Sequence, residues 1–473
     1  MKLEFIKKKP LWVILLIAVI IRVFYLLTNQ TLWWDSHVYV EMGKFIFSGG
    51  HLGIWESFRP LILPLVLGSF WKMKLDPIFI GKILDLIIST ISVYLLYLIT
   101  SKAFNKKIAL IGSLLFATSP LYLIFTGLVL TEPLAIFFGL LGIFFFMRRK
   151  NETDLLWTGI FLGLSFLTKF PQGLYFGAIF MVILFEKEKI FSKIVNLIVI
   201  SLGFLVTIAP YFIFNHLQYG NYLQPLIDAS AIVTTSTWEY GSGLGFYFIN
   251  LFLSNPIHLF FIGYLYFYLK EKHWKDYCKN VILFITILIF IYFHTVPRKE
   301  LRYMVSLIPF LLIGSAYVLN KIYESLKETK KPIIRPKAFI ILTIILVIIF
   351  IPSALHFNNQ LQINSEINKI IIDNDIKGPI IVTDLSFVSG KEISIITFSG
   401  MEYAKAVYEF HQDKYQMIII NECDLICAPD DLGCDSEKKS LLDKIKKENK
   451  LEYQEEVDGC NYGIYLPKEI NQS

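Results

Sequence analysis

The sequence predicts a polytopic α-helical membrane protein with a small α/β domain at its C-terminal end. Three observations carry that reading. The 473-residue chain is 55% apolar, with a mean hydropathy of +0.56. Apolar stretches of roughly 17–25 residues, the length needed to cross a bilayer as a helix, recur along it. After residue 356 the composition turns polar.

Spans are expected near residues 10–28, 78–100, 108–124, 131–147, 155–169, 171–186, 193–214, 246–269, 280–296, 303–320 and 338–355, about eleven crossings. The first follows Lys7–Lys9 and resembles a signal peptide in outline. It lacks a small-residue cleavage site and runs into Trp33-Trp34, so it reads as an uncleaved span. Every second loop is basic: Lys7–Lys9, Lys102/Lys106/Lys107, Arg148/Arg149/Lys150, Lys187/Lys189/Lys193, Lys270/Lys272/Lys275/Lys279, and Lys321 through Lys337. The positive-inside rule puts these loops and the N-terminus in the cytoplasm. An odd number of spans then puts the C-terminal domain outside. The expected division is a transmembrane domain over 1–357 and an extracytoplasmic α/β domain over 358–473.

The outer loops differ in character. The first, residues 29–77, holds Trp33-Trp34-Asp35-Ser36-His37-Val38-Tyr39 and an amphipathic stretch over 37–48. A shorter apolar stretch follows Arg59-Pro60, and both stretches suit interfacial helices. The second, residues 215–245, ends in Tyr240-Gly241-Ser242-Gly243-Leu244-Gly245. That run lacks the preceding strand and the Gly-Lys-Ser/Thr ending of a phosphate loop, so it reads as a mobile loop.

In the C-terminal domain, Ile380–Thr383, Ile393–Phe398 and Met417–Ile420 read as strands, and 400–412 and 437–449 as helices. Four of the five cysteines, Cys423, Cys427, Cys434 and Cys460, fall here. An even count on an outer face suggests two disulfides. Four cysteines allow three pairings, of which Cys427–Cys434 with Cys423–Cys460 is preferred. A four-thiolate zinc site is the competing reading, but the spacings of four, seven and twenty-six residues fit no zinc ribbon. Cys278, in a cytoplasmic loop, is expected to be a free thiol.

A net charge of +6, carried mostly in short loops without interleaved aromatics, gives no case for nucleic-acid binding. The charge near outer span ends is more telling: Asp35, His37, Tyr39, Arg59, Lys82, Asp85, Glu132, Lys169, His294, Arg298, Glu300 and Arg302. Charge at a membrane edge is costly to desolvate, and its gathering on one side describes a site. In His294 to Pro309, two guanidinium groups suit an anionic headgroup such as a phosphate. Snorkelling anchors at a helix end are the alternative. Lys169, a lone cation on the less basic face, is explained by a phosphate partner or by snorkelling. Asp35 is placed to take a proton from an incoming hydroxyl, or to cap a helix over 36–48. Glu132 carries the same pair of readings at the next helix start.

The segments bearing these residues resemble, in order, those of the GT-C-type glycosyltransferases of the protein O-mannosyltransferase and aminoarabinose transferase group. Trp34-Asp35-Ser36-His37-Val38-Tyr39 resembles their Asp-Glu-x-x-Tyr segment, with Ser36 in place of the second acid. Arg59-Pro60-Leu61 resembles a basic-Pro-Pro-Leu segment that has lost one proline. Leu130-Thr131-Glu132-Pro133-Leu134, the Gly163–Lys169 turn, Ala209-Pro210-Tyr211 and Arg302–Pro309 resemble further segments. The likeness covers roughly residues 10–320.

The resemblance implies a sugar donor on a polyprenyl phosphate and transfer to an acceptor hydroxyl of a protein, lipid or glycan at the outer face, with inversion. Asp35 would be the base, with Glu132 as a second catalytic acid. Lys169, Arg298 and Arg302 would hold the donor phosphate, with Arg59 and Lys82 behind them, and His37, Tyr39, His294 and Glu300 would line the substrate. No cofactor is required. A divalent ion, magnesium or manganese, held by Asp35 and Glu132 is the alternative that hard oxygen ligands allow. The rival function is a lipid-linked sugar flippase, which would want charge along a path through the membrane. Mid-span charge is scarce here, with Arg22 and Asp85 the main cases, and no inverted repeat is evident. A receptor or scaffold would explain the cysteine-bearing tail but not the one-sided charge.

Overall fold

The computed structural model describes residues 9–28, 32–234, 237, 240–329, 332, 334–350, 363–388, 391–398, 400–411, 414–457 and 459–468. Several expected features therefore lie partly outside the described residues: Lys7 and Lys8, residues 29–31 of the first outer loop, 235, 236, 238 and 239 of the second, Lys330 and Lys331, 351–355 of the last span, 358–362 of the α/β domain, and residue 412 of its first expected helix.

In chain order the helices are α1 (Pro10–Thr28), α2 (Trp34–Ser48), α3 (Ile62–Lys72), α4 (Pro77–Ala103), α5 (Lys106–Ala117), α6 (Pro120–Ile124), α7 (Thr131–Arg148), α8 (Glu152–Thr168), α9 (Gly173–Phe185) and α10 (Ile190–Tyr219). They continue with α11 (Gln224–Ile232), α12 (Phe246–Ser254), α13 (Phe260–Lys270), α14 (Tyr277–Thr295), α15 (Ile308–Glu328), α16 (Pro336–Phe350), α17 (Ile363–Asp373), α18 (Met401–Phe410) and α19 (Cys434–Glu448). The strands are β1 (Ile380–Val382), β2 (Ile395–Thr397), β3 (Met417–Asn421), β4 (Asn449–Val457) and β5 (Cys460–Pro467).

The chain forms two compact units. One holds Met1–Gln30, Ser57–Leu63 and Gly81–His356; the other holds Thr31–Glu56, Pro64–Ile80 and Phe357–Ser473.

The first unit is helical. Among the described residues, six helices are long and apolar enough to cross a membrane: α1, α4, α7, α10, α14 and the continuous stretch Leu301–Glu328. Other expected spans are shorter or broken, each for a local reason. The 108–124 stretch stops at Thr118 because Ser119 is extended before Pro120. The 246–269 stretch breaks at Asn255, which is extended and whose side chain accepts from the amide of Ile257; Pro256 then starts a 3-10 turn. Residues Leu301–Leu307 form a 3-10 turn leading into α15. Buried Arg22 ties α1 to the bundle, donating to Ser89 Oγ at 2.7 Å and to the Ala117 carbonyl at 3.1 Å. Helices α8 and α10 meet through glycines: a Cβ on Gly159 would fall 2.0 Å from the Ile200 carbonyl oxygen. Small residues at such a crossing let backbones approach where water supplies no hydrophobic drive. On the basic loops, Arg149 and Glu186 pair at 2.7 Å, and Arg148 pairs with Asp154.

The second unit contains a five-stranded sheet of order β2-β1-β3-β5-β4. Strands β1, β2 and β3 are parallel, and β5 and β4 add antiparallel. β1 and β3 are buried along their whole length, as continuous apolar strands covered on both faces are. Ile381, Ile418, Ile420 and Tyr465 of the sheet pack with Tyr408 of α18 and Ile445 of α19. Cys423 bonds Cys460 and Cys427 bonds Cys434, one of the three pairings the sequence allows. Cys278 is a buried free thiol.

Helix α2 belongs to this second unit, and it departs from expectation. Rather than showing one apolar face, it buries nine consecutive residues, Ser36 to Lys44. It crosses α3 at Gly43 and Gly68, where a Cβ on Gly43 would lie 2.7 Å from the Gly68 nitrogen. Such a helix is a core element, not an interfacial one.

Candidate active site

Asp35 stands in the first turn of α2 and is half-buried. The cap position is Trp33, which makes no side-chain capping bond. Asp35 is therefore not the cap. Its carboxylate sits where the helix amide ends favour negative charge. His37 and Tyr39, two and four residues further on, are buried.

In the helical unit the remaining candidates form two groups. Glu132 occupies the first turn of α7, after Leu130, which makes no side-chain capping bond. Instead of capping, Glu132 accepts from Lys169 Nζ at 2.7 Å, and both side chains are largely withdrawn from solvent. Lys169 terminates α8 and precedes the 3-10 turn Phe170–Gln172. In the second group, Glu300 stands between two arginines, with Arg298 Nε at 2.6 Å from one oxygen and Arg302 Nε at 2.7 Å from the other. The Tyr303 hydroxyl donates to the same Glu300 at 3.1 Å. The Arg298 guanidinium also lies 3.6 Å from the centre of the Tyr240 ring, a cation–π contact.

The groups lie on elements that dock together. Gln172 Nε2 donates to Ser306 Oγ at 2.8 Å, and the Tyr175 hydroxyl donates to the Ser306 carbonyl at 2.6 Å. The Lys169 turn is thereby fixed on the 3-10 turn that carries Arg302. The run Tyr240–Gly245 is partly anchored as well: the Gly241 amide donates to the Lys299 carbonyl at 3.1 Å.

Other residues of the cluster serve the helices. Lys299 is buried and caps α14, its Nζ donating to the carbonyls of His294 at 3.0 Å and Val296 at 3.1 Å. His294 uses Nδ1 on the Phe290 carbonyl at 2.8 Å and packs its ring among Phe290, Tyr247 and Phe248. Arg59 lies over the Phe58 ring, in the segment whose Leu61 and Ile62 pack on Leu167 and Tyr211. Lys82 is half-buried in the second turn of α4.

Asp85 gains a role that sequence reasoning did not give it. Buried on α4, its carboxylate accepts from the amides of Gly127 at 3.2 Å and Val129 at 3.0 Å. Both donors have positive φ, 90° and 57°, a conformation costly for a β-branched valine. Asp85 holds this bend, which sets the start of α7 and hence Glu132. The signal was present as a lone acid inside a 27-residue apolar helix.

Over residues 59–214 the chain matches the family model of the dolichyl-phosphate-mannose-protein mannosyltransferases. No curated protein sequence matches it. Solved structures do. ArnT from Cupriavidus metallidurans, bound to undecaprenyl phosphate, aligns over 97% of this chain and 98% of its own, with TM-score 0.63 and 10% identity. This chain has the GT-C fold. The Archaeoglobus fulgidus oligosaccharyltransferase, tethered with an acceptor peptide, aligns over 98% of this chain and 75% of its own, with TM-score 0.60 and 13% identity. The mycobacterial arabinofuranosyltransferase AftD aligns over 97% of this chain and 40% of its own, with TM-score 0.54 and 11% identity. The expected resemblance to the mannosyltransferase and aminoarabinose transferase group of GT-C proteins is borne out by these matches. One structure of the archaeal enzyme is a complex with zinc and sulfate. In this chain no group of three His, Cys, Asp or Glu side chains among the described residues is arranged to hold a metal, and Glu132 pairs with Lys169.

Proposed function

We propose that this chain is a multi-pass membrane glycosyltransferase that moves a sugar from a polyprenyl-phosphate donor to an acceptor hydroxyl. The observation that carries the proposal is the pairing of every leading candidate cation with an acid, at elements docked on one another. Lys169 is held by Glu132, and Arg298 and Arg302 by Glu300. Cations so held keep their geometry without a ligand, and an incoming phosphate can exchange for the carboxylate. Two structural neighbours are described as bound to polyprenyl phosphates, undecaprenyl phosphate in ArnT and dolichol-phosphate in the archaeal oligosaccharyltransferase, which supports this class of donor.

In the reaction, the acceptor oxygen forms a bond to the anomeric carbon as the bond from that carbon to the phosphate oxygen breaks. Asp35 takes the hydroxyl proton, and the lipid phosphate leaves with the bonding pair. Its growing charge is stabilised by Lys169, Arg298 and Arg302, with Arg59 and Lys82 in support. A single displacement inverts the anomeric centre. In this reading the site and the disulfide-bonded domain lie outside the cytoplasm and the N-terminus inside, which the alternation of basic loops in the sequence supports.

The test is a panel of radiolabelled polyprenyl-phosphate sugars supplied to membranes containing the chain. Label moving to a protein, lipid or glycan supports the proposal and names the sugar and acceptor. Label crossing the bilayer still attached to its lipid would replace it with the flippase reading.

A further inference from the structure

We propose that the C-terminal α/β fold positions the candidate base, and that Lys44 is the residue through which it does so. The proposal rests on the reading of Asp35 as base. All the residues involved belong to the second compact unit.

Lys44 and Glu41 form an ion pair at 2.8 Å, one turn apart on α2, with both side chains fully excluded from solvent. Taking two charges out of water offsets most of their attraction, so such a pair is a poor source of stability and a good specifier of geometry. Its second contact gives the geometry a purpose. Lys44 Nζ also donates to the backbone carbonyl of Lys391, at 3.0 Å and 347 residues away in the chain.

Lys391 lies four residues before β2, and its amide donates to the Val388 carbonyl at 3.1 Å. Ser394 gives its carbonyl to the Ile380 amide at 3.0 Å, and forms an isolated parallel bridge with Gly53 of the first outer loop. Gly53 in turn presses on α2, since a Cβ there would lie 2.1 Å from the Glu41 carbonyl oxygen. The turn Leu385–Phe387, just after β1, packs on α2 as well. Helix α2 is thus clamped by Lys44, by the Gly53 loop and by that turn, all referred to the edge of the sheet. Asp35 stands nine residues before Lys44 on the same helix, about 13 Å along a rigid rod. A shift of about 1 Å at a reacting group costs about a hundredfold in rate, so the clamp can set activity without touching substrate.

The test uses the full chain in lipid nanodiscs, with hydrogen exchange over residues 34–48 and transfer from radiolabelled dolichyl-phosphate mannose. Lys44→Met should raise exchange in the first turns of α2 and lower kcat at least about tenfold, with the donor KM within about twofold. Lys44→Arg should recover most of the rate. Lys377→Ala, at a side chain that is 77% exposed and outside the clamp, should behave as the unaltered protein. If Lys44→Met fails to fold, the double variant Glu41→Gln/Lys44→Met removes both charges and should fold with the same loss of rate. Unchanged exchange and unchanged kcat in a folded Lys44 variant overturn the proposal. A rise in KM alone would also overturn it, because that marks a binding contact. A fully active Asp35→Asn would instead remove the base assignment while leaving the exchange pattern standing, so the two failures are separable.

Discussion

Lys169 and Glu132 join the end of α8 to the start of α7 through a 2.7 Å contact, with 12% and 4% of their side chains exposed. A pair this withdrawn from solvent is held by mutual need, and breaking it by removing one partner costs roughly 3–5 kcal/mol.

That contact separates a phosphate clamp from a structural tie. Glu132→Gln leaves Lys169 without its carboxylate and should tighten binding of free undecaprenyl phosphate several-fold, even as the melting temperature falls. Lys169→Met should lower the melting temperature and weaken lipid binding by at least about tenfold, the effect of one lost charge-assisted bond of about 1.5–3 kcal/mol. Microscale thermophoresis in detergent, read beside thermal unfolding, checks both. If the two variants weaken binding equally, the pair is only a tie.

Helix α8 tolerates no side chain at Gly159. A Cβ there meets the Ile200 carbonyl oxygen at 2.0 Å, while one on Gly177 meets nothing within 4 Å. Gly159→Val should abolish the monodisperse peak in size-exclusion chromatography, since backbone must move to admit it. Gly177→Ala should elute unchanged.

The two disulfides should differ in worth. Cys423–Cys460 closes a separation of 37 residues and Cys427–Cys434 one of 7. Loop-closure entropy gives about 4 and about 2.5 kcal/mol respectively. Cys460→Ser, combined with Cys423→Ser, should therefore lower the unfolding midpoint of the α/β fold more than the Cys427→Ser/Cys434→Ser pair, as read by limited proteolysis across a urea series.

Asp424 gives the α/β fold a pH dependence of defined sign. Burial, and then the nearby Asp384 carboxylate, push its carboxyl up to about 6. A raised carboxyl favours the protonated folded state, so its stabilising contribution is complete below about pH 4 and is lost as pH rises through about 6. Asp424→Asn keeps an oxygen to accept from Asn421, which donates to Asp424 at 2.9 Å. It should stabilise the fold at pH 7 by about 1–2 kcal/mol and flatten the stability profile between pH 4 and 7. Urea unfolding at several pH values checks it, and a destabilised variant at pH 7 would contradict the assignment.

Much of this molecule was legible because apolar length is a strong signal. α1, α4, α7, α10 and α14 fall where runs of apolar residues put them. What was not legible depends on single residues acting on the backbone. Asn255 and Pro256 split a 24-residue apolar stretch into two helices, and Ser119-Pro120 did the same to another. The pattern of α2 looked amphipathic because its polar residues, Ser36, His37, Glu41 and Lys44, are buried rather than solvated. Only tertiary partners such as the Lys391 carbonyl reveal that. β4 and β5 were missed because β4 is mostly exposed and polar, with its register set by β5. At the site, the charged residues were visible as charge near span ends. Their pairing was not, since Lys169 and Glu132 lie 37 positions apart.

Ion pairing supplies one more check on the arginine cluster. With Glu300 between Arg298 and Arg302, Arg302→Lys keeps charge but loses the planar fork, and should cut lipid-phosphate affinity by about tenfold. An affinity within twofold of the unaltered protein would remove Arg302 from the proposed phosphate site.

The most direct measurement compares Asp35→Asn with the unaltered chain in two assays on one preparation: sugar transfer from the donor selected by the panel, and binding of the free polyprenyl phosphate. The expected result is transfer lowered by at least about a thousandfold with lipid affinity unchanged, because the amide keeps the shape of the carboxylate but cannot accept the proton. Transfer within tenfold of the unaltered chain would contradict the role of Asp35 as the base of a glycosyl transfer.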